Sequence, residues 1–197
     1  MKRLSVIGLG LMIMSSIIYG CVHQPSGQAD AGWVTLLDGS NLDNWTRTGN
    51  ANWRILDGVA QADQGNGHLV SKNSYTDFQL RAEFWVDADA NSGIHFRCAD
   101  PQKLGSATCY EVNIFDKRAD AEYGTGAIVN VAKVSPMPKA GGRWNTTEIT
   151  AKGPRLTVIF NGIRTADVQD TKHARGPITI QYAGGIVKFR KLEIKPL

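Results

Sequence analysis

The chain has 197 residues, 42% hydrophobic and 20% charged, with three cysteines and a formal charge of +4 at pH 7. This balance is that of an ordinary globular protein and excludes disordered, collagen-like and cysteine-dense classes. Without Lys2 and Arg3 the charge falls to +2, and no basic stretch is interleaved with aromatics, so nucleic acid is not expected as a partner.

Residues 1–20 read as a signal peptide: Lys2 and Arg3, an apolar run, then Ile18, Tyr19 and Gly20 directly before Cys21. A small residue before a cysteine, with an aliphatic residue two places earlier, resembles the bacterial lipoprotein processing box. A single membrane anchor is the other reading, for which the apolar run is barely long enough. On the lipoprotein reading Cys21 carries the lipid and is the first residue of the mature chain. Val22 at the next position, in place of Asp, resembles the sorting pattern for the outer membrane, so an outer-membrane lipoprotein facing the periplasm is expected. Residues 21–31 are polar and read as a flexible tether. Residues 32–197 are long enough for one domain with a sizeable core and too short for two.

From residue 33 onward, short runs alternate apolar with polar residues between turn signals. The first run is 33–37, followed by a turn at Asp38, Gly39, Ser40 and Asn41. Runs 53–56 and 59–62 flank Asp57 and Gly58, a tight-hairpin signal, and 67–71 follows. Later, 127–131 is apolar and 134–142 is a Pro and Gly loop. Run 144–152 alternates again, and 156–160 with 163–168 flank Asn161 and Gly162 as the clearest hairpin. Runs 177–182 and 186–194 close the chain around Gly184 and Gly185. Helical spacing is found only before residue 21, so an all-β fold is expected. Many short strands without a long repeat favour a two-sheet sandwich over a propeller. Trp33, Trp45, Trp53 and Trp144 read as core or edge packing.

The stretch 78–116 carries the candidate chemistry. In 78–86, Leu80, Ala82, Phe84 and Val86 alternate with Gln79, Arg81, Glu83 and Trp85. In 94–98, Ile94, Phe96 and Cys98 alternate with His95 and Arg97, and in 110–115 Tyr110, Val112 and Ile114 alternate with Glu111, Asn113 and Phe115. If these runs are neighbouring strands, their acidic, basic and aromatic residues share one face, which is the expected site. A cross-strand salt bridge between Glu111 and Arg97 is the plainer alternative. Cys98 and Cys109 stand at facing strand ends and suit a disulfide in an oxidising compartment, closing the loop 99–108, with two buried free thiols as the alternative. Without a clustered histidine they make no zinc site. Asp87, Asp89 and Asn91 form an oxygen-rich loop that reads as a solvated turn more readily than as a calcium site, and no cofactor is expected.

The series GWVTLLDGSNLDNW, WRILDGVAQ, NSGIHFR, YEVNIFD, RWNTTEITAKGPRLTVIFNG and GPITIQYAGGIVKFRKLEI, in this order over nearly all of 32–197, resembles the 3-keto-disaccharide hydrolase domain family. The resemblance implies a jelly-roll of two curved antiparallel sheets, of the concanavalin A-like lectin and glucanase type, whose concave face holds sugar. It also implies a periplasmic carbohydrate-active lipoprotein; coupling to a sugar 3-oxidoreductase that makes the keto group is left open by the sequence. The chain departs from the family where Asn113 stands, often Gln there, and at Tyr182, Ala183 and Gly184, where Asp or His with Gly is common.

A carbonyl at C3 of a sugar acidifies the C2 proton, so a base can remove it while the glycosidic oxygen leaves C1 and water later adds back. Such chemistry needs a base, a proton donor and a group that holds the enolate oxygen. Glu111 is the candidate base, Glu83 or His95 the donor, and Arg97 the enolate stabiliser. A conventional glycosidase would instead use Glu83 and Glu111 as paired carboxylates. A non-catalytic module would stack sugar on Trp85 and Phe115 and hold hydroxyls with Asn113, Asp116 and Gln181. A purely structural envelope lipoprotein is the third reading.

Overall fold

The computed structural model describes residues 31–197, so the signal peptide, Cys21 and all but the last residue of the expected tether lie outside the described residues. The thirteen strands here are β1 (Val34–Leu37), β2 (Trp45–Gly49), β3 (Arg54–Leu56), β4 (Val59–Ala62), β5 (Gly67–Tyr75), β6 (Phe78–Val86), β7 (Asn91–Phe96), β8 (Tyr110–Ile114), β9 (Arg143–Lys152), β10 (Arg155–Phe160), β11 (Ile163–Gln169), β12 (Gly176–Gly184) and β13 (Val187–Pro196). A single 3-10 turn, Ala121–Tyr123, interrupts the long segment after β8. β2 carries no alternation that announced it. The two hairpin signals act through their backbone: Asp57 with Gly58 and Asn161 with Gly162 all have positive φ, as a tight two-residue turn requires.

The strands form two antiparallel sheets, one of eight strands in the order β11-β10-β9-β6-β13-β4-β3 with β1 on β13, and one of five in the order β2-β5-β12-β7-β8. The alternation of β6 translates directly into burial: Phe78, Leu80, Ala82, Phe84 and Val86 are buried, and Gln79, Arg81, Glu83 and Trp85 are half-buried on the outside. Between the sheets, Phe84 packs against Phe160 and Phe189, and Phe78 of one sheet meets Phe96 of the other edge to face at 5.8 Å. Phe84 is fully buried, so Phe84→Ala removes a ring at the centre of this cluster at a cost of about 3 to 5 kcal/mol.

The expectation that 78–86, 94–98 and 110–115 are neighbours is corrected here. β7 and β8 pair, but β6 lies in the other sheet, between β9 and β13. The chain crosses from β6 to the other sheet at residues 87–90, beside a later crossover from β12 back to β13 at residues 185–186. Asp87 clamps the two together: its N–H donates to the Ile186 carbonyl at 3.1 Å, and its Oδ2 accepts from the Ile186 N–H at 2.9 Å. Gly185 is required there, since a Cβ would come within 2.5 Å of the Ala90 Cα. Thus the oxygen-rich loop serves the crossover, and Asp89 pairs with Lys117. Among the described residues no group of three or more His, Cys, Asp or Glu is arranged to hold a metal ion. The apolar run 127–131 forms no regular strand; it lies along β8, with the Val129 N–H donating to the Glu111 carbonyl and the Asn113 N–H to the Ala127 carbonyl.

Candidate functional site

The outward face of the five-stranded sheet follows from register. His68 of β5, Gln181 of β12, Gly93 of β7 and Asn113 of β8 stand level with one another. The next row holds Val70, Thr179, His95 and Glu111. The residues between them, among them Leu69, Ile180, Ile94 and Val112, point into the core, so strand period alone puts these two rows outside.

Glu111 Oε2 lies 3.6 Å from His95 Nε2, and the His95 ring meets His68 edge-on at 5.2 Å between centroids. Gly93 makes the carboxylate's position available, because a Cβ there would come within 3.2 Å of Glu111 Oε1. His95 is 0% exposed. Both its ring nitrogens, together with His68 Nε2, Thr179 Oγ1 and Gln181 Oε1, are buried without a hydrogen-bond partner among the described residues. Each such atom costs about 1 to 3 kcal/mol, and folded proteins keep few of them. Five on one patch are expected where a polar ligand completes the bonding. Burial, reinforced by the neighbouring His95, pushes the His68 pKa down to about 4 against the opposing pull of Glu111. His68 is therefore a neutral imidazole at neutral pH, with one N–H to donate and one lone pair to accept.

The structure disperses much of the expected site. Glu83 and Trp85 lie on the outward face of the eight-stranded sheet, across the whole core from Glu111, because β6 belongs to that sheet. There Glu83 accepts from Arg190 Nε at 2.7 Å, and Lys188 sits over the Trp85 ring. Glu83 is thus neither the donor nor the second carboxylate of a pair with Glu111. Arg97 is 2% exposed and follows β7 with φ of 50°, which turns it out of the strand alternation. Its guanidinium donates to the Thr76 and Gly153 carbonyls and to Asp77 Oδ1, so it ties the sheet ends together and does not hold an enolate. Neither does it bridge Glu111.

Asp116 is likewise structural, accepting from Thr125 Oγ1 and from the backbone N–H groups of Ala140 and Gly141. Asn113 stays in the site row, but its amide donates to the Tyr123 carbonyl at 2.7 Å. Phe115 follows β8 half-buried, its N–H donating to Thr125 Oγ1. Glu111, His95 and Gln181 are therefore brought together as expected on one face. His68 and Thr179 join them unannounced. His68 alternates with Leu69 in the run 67–71, which marks it as outward, but only the strand order shows that it faces His95.

A proposed glycosyl hydrolase of Parabacteroides distasonis superposes with a TM-score of 0.76 at 18% identity, covering 84% of this chain and 94% of the other. A second from the same organism gives 0.69 at 24% identity, covering 84% and 99%. The carbohydrate-binding module CBM66 from Bacillus subtilis gives 0.58 at 16%, covering 83% and 95%. These likenesses establish a lectin-type jelly-roll fold. No curated protein sequence matches the chain. Residues 32–195 match the model of the 3-keto-α-glucoside 1,2-lyase-like domain, and the chain belongs to that family.

Proposed function

We propose that the protein is a carbohydrate-active hydrolase that cleaves 3-keto-glycosides by elimination and hydration on the outward face of the five-stranded sheet. The observation that carries this reading is the patch of unpartnered buried polar atoms around Glu111. The family's description as 1,2-lyase-like agrees with bond-breaking across C1 and C2. Glu111 takes the C2 proton and the freed pair forms the C2=C3 enolate; the enolate then collapses to the C3 carbonyl and a C1=C2 double bond as the C1–O bond breaks with its electrons on the leaving oxygen. That oxygen takes a proton from His95 or from water. The abstracted proton exchanges with solvent on Glu111. Water then adds across C1=C2, its hydroxide going to C1 and its proton restoring the group that protonated the leaving oxygen, while Glu111 gives a solvent-derived proton to C2, yielding a 3-keto sugar and an alcohol. His68, as a neutral imidazole, donates to the carbonyl oxygen as it becomes an enolate, the part expected of Arg97.

The reading needs no second carboxylate. It extends to the cell envelope, with acyl chains on Cys21 holding the domain at the outer membrane and a sugar 3-oxidoreductase supplying substrate. Cys21→Ser then leaves the protein unacylated and in the soluble fraction; recovery in membranes with an intact N-terminus points to a transmembrane anchor instead. The mechanism is tested by turnover of a 3-keto-disaccharide in D2O. Deuterium enters C2 of the released keto sugar above the spontaneous exchange of the free product. No label above that background, with hydrolysis of unoxidised disaccharides, overturns the mechanism. Sugar binding without turnover would instead make the protein a binding module.

A further inference from the structure

Nearly every guanidinium of the domain has a partner. Arg54, Arg81, Arg155, Arg164 and Arg190 each hold a carboxylate. Arg97 holds Asp77 and two carbonyls, and Arg143 and Arg175 each hold a carbonyl. Among the described residues Arg118 and Arg47 have no such partner. Arg47 is exposed on β2, the edge strand of the five-stranded sheet, and it lines a cleft.

The cleft has a volume of about 500 Å³, within the range of small-molecule sites. One wall is β2 and β5, through Thr48, Asn66 and His68, and the other is the tip of the loop 97–109, through Pro101, Gln102 and Leu104. That loop begins past the level of His95, and His68 lies farther back along β5, so the loop folds back over the outward face to reach it. The Cys98–Cys109 disulfide staples its base, together with the Ala99 N–H donating to the Thr108 carbonyl at 2.8 Å. Gly49 and Gly67 stand opposite each other at the same end of β2 and β5, so no side chain fills the space there. Among the described residues that line the cleft, Arg47 carries the charge at neutral pH: none is Asp or Glu, and His68 is neutral.

Thr48, His68, Gln181 and Gly93 are level with one another, so the cleft opens on the face that carries Glu111 and His95, with His68 in between. Neighbouring strands are about 4.8 Å apart, and β2 is one strand beyond His68. Arg47 is therefore reached by the part of a ligand that extends past a ring held at Glu111. An anion there gains from the cation and meets no lining carboxylate, and the forked donors of a guanidinium match a carboxylate in shape. His68 and the amides of Asn66 and Gln102 add neutral donors. One cation balances one negative charge, so a carboxylate suits the cleft better than a doubly charged phosphate.

We infer that this cleft recognises a carboxylate carried by the part of the substrate beyond the reacting sugar, with Arg47 as its cation, so that acidic glycosides are the preferred class. The inference rests on the reading that the reacting sugar lies against Glu111 and His95.

The test uses a matched pair, the 4-carboxyphenyl and 4-carbamoylphenyl α-glucosides, which differ in charge and hardly in shape. Calorimetry with these unoxidised glycosides needs no turnover. At low salt the wild type should bind the carboxylate about tenfold more tightly than the amide, and the ratio should fall to about one in Arg47→Gln. Equal binding of the two by the wild type, or a ratio kept in Arg47→Gln, overturns the inference. Arg47→Glu should reverse the preference, and a preference for the carboxylate retained there overturns it as well. The 3-keto forms of the same glycosides, assayed for kcat/KM, separate this inference from the reading beneath it. Turnover of both with a ratio of about one overturns the inference alone. No turnover of either, with the tenfold binding ratio present and lost in Arg47→Gln, supports the carboxylate site while overturning the keto-sugar reading.

Discussion

On the outward face of the eight-stranded sheet, charged groups find one another. Arg81 bonds Glu193, Arg190 reaches Glu83 at 2.7 Å, and Arg155 and Arg164 share Asp167. The indoles are capped too, Trp85 by Lys188 and Trp144 by Arg190 at 4.2 Å. On the outward face of the five-stranded sheet, His68, His95, Thr179 and Gln181 keep buried polar atoms without a hydrogen-bond partner among the described residues. Both faces come from the same period-2 alternation. Exposed ion pairs add about 0 to 1 kcal/mol each and call for no function, whereas buried unpartnered groups cost stability and persist where something else uses them. Pairing, more than polarity, separates a solvated face from a site.

The sharpest break of this comparison is a matched pair of substitutions. Glu111→Gln keeps size and a hydrogen bond but removes the proton acceptor, so turnover falls by about 10² to 10⁴-fold with sugar binding retained. Glu83→Gln makes the same change on the paired face and leaves turnover unaltered, at a stability cost of at most about 1 kcal/mol. Steady-state kinetics with thermal unfolding of both variants checks this. Equal loss of activity in the two would undo the assignment of the site to the five-stranded sheet.

Arg97 comes next, as a group that sits near the site without belonging to it. Three acceptors in different directions hold its guanidinium at a buried position. Lysine has no planar fork and leaves at least one buried carbonyl unpaired, so Arg97→Lys should cost about 3 kcal/mol. For a domain of this size that lowers the unfolding midpoint by about 6 to 12 °C. Unfolding curves measure it, and activity per folded molecule should change far less than in Glu111→Gln. A large kcat loss at unchanged stability would return Arg97 to the chemistry.

These contrasts show which part of the protein was legible in its sequence. Strand runs, the Asp57 and Asn161 hairpins and the sandwich class are local properties of alternation and turn chemistry, and they are where the pattern puts them. Glu111 and His95 were legible as a pair because β7 and β8 are a hairpin, joined by a disulfide-closed loop. Glu83 and Trp85 were misplaced because alternation assigns a side of a strand, never a sheet, and β6 crosses over at Asp87. Consecutive strands are neighbours often enough to make the assumption natural. Arg97 continued the alternation on paper, but its positive φ takes it out of the strand, and no residue type announces that turn. Long-range order hid His68 in the same way, since β5 reaches the site only through β12.

The buried His68 makes the comparison pH-dependent. Its pKa is about 4 in the folded state, below the ordinary value of 6.5. As pH falls below 6.5 the unfolded chain takes up a proton that the folded chain refuses until near pH 4, so stability drops across that window and levels off beneath it. Between pH 7 and 4.5 this one residue accounts for about 2 to 3 kcal/mol. His173, also lowered by burial, adds loss in the same direction. His68→Asn should therefore unfold less readily than wild type on acidification, as read by urea titrations at the two pH values. Equal acid sensitivity would show that His68 is protonated in the folded protein and is not the neutral donor described above.

The smallest effect is expected at Trp85, which a sequence reading would pick for stacking on sugar. It stands opposite Trp144 across β6 and β9, and Lys188 lies 4.9 Å from its ring centroid. Those contacts are cross-strand packing and a cation over an aromatic face, each of roughly 0.5 to 1 kcal/mol at an exposed site. Trp85→Ala should lower stability by about 1 kcal/mol and leave both disaccharide affinity and turnover unchanged. Isothermal titration with a disaccharide, beside a denaturant curve, separates the two outcomes. Loss of sugar binding without loss of turnover would mean that the eight-stranded face also holds carbohydrate, and that ion pairing across a sheet does not by itself exclude a ligand.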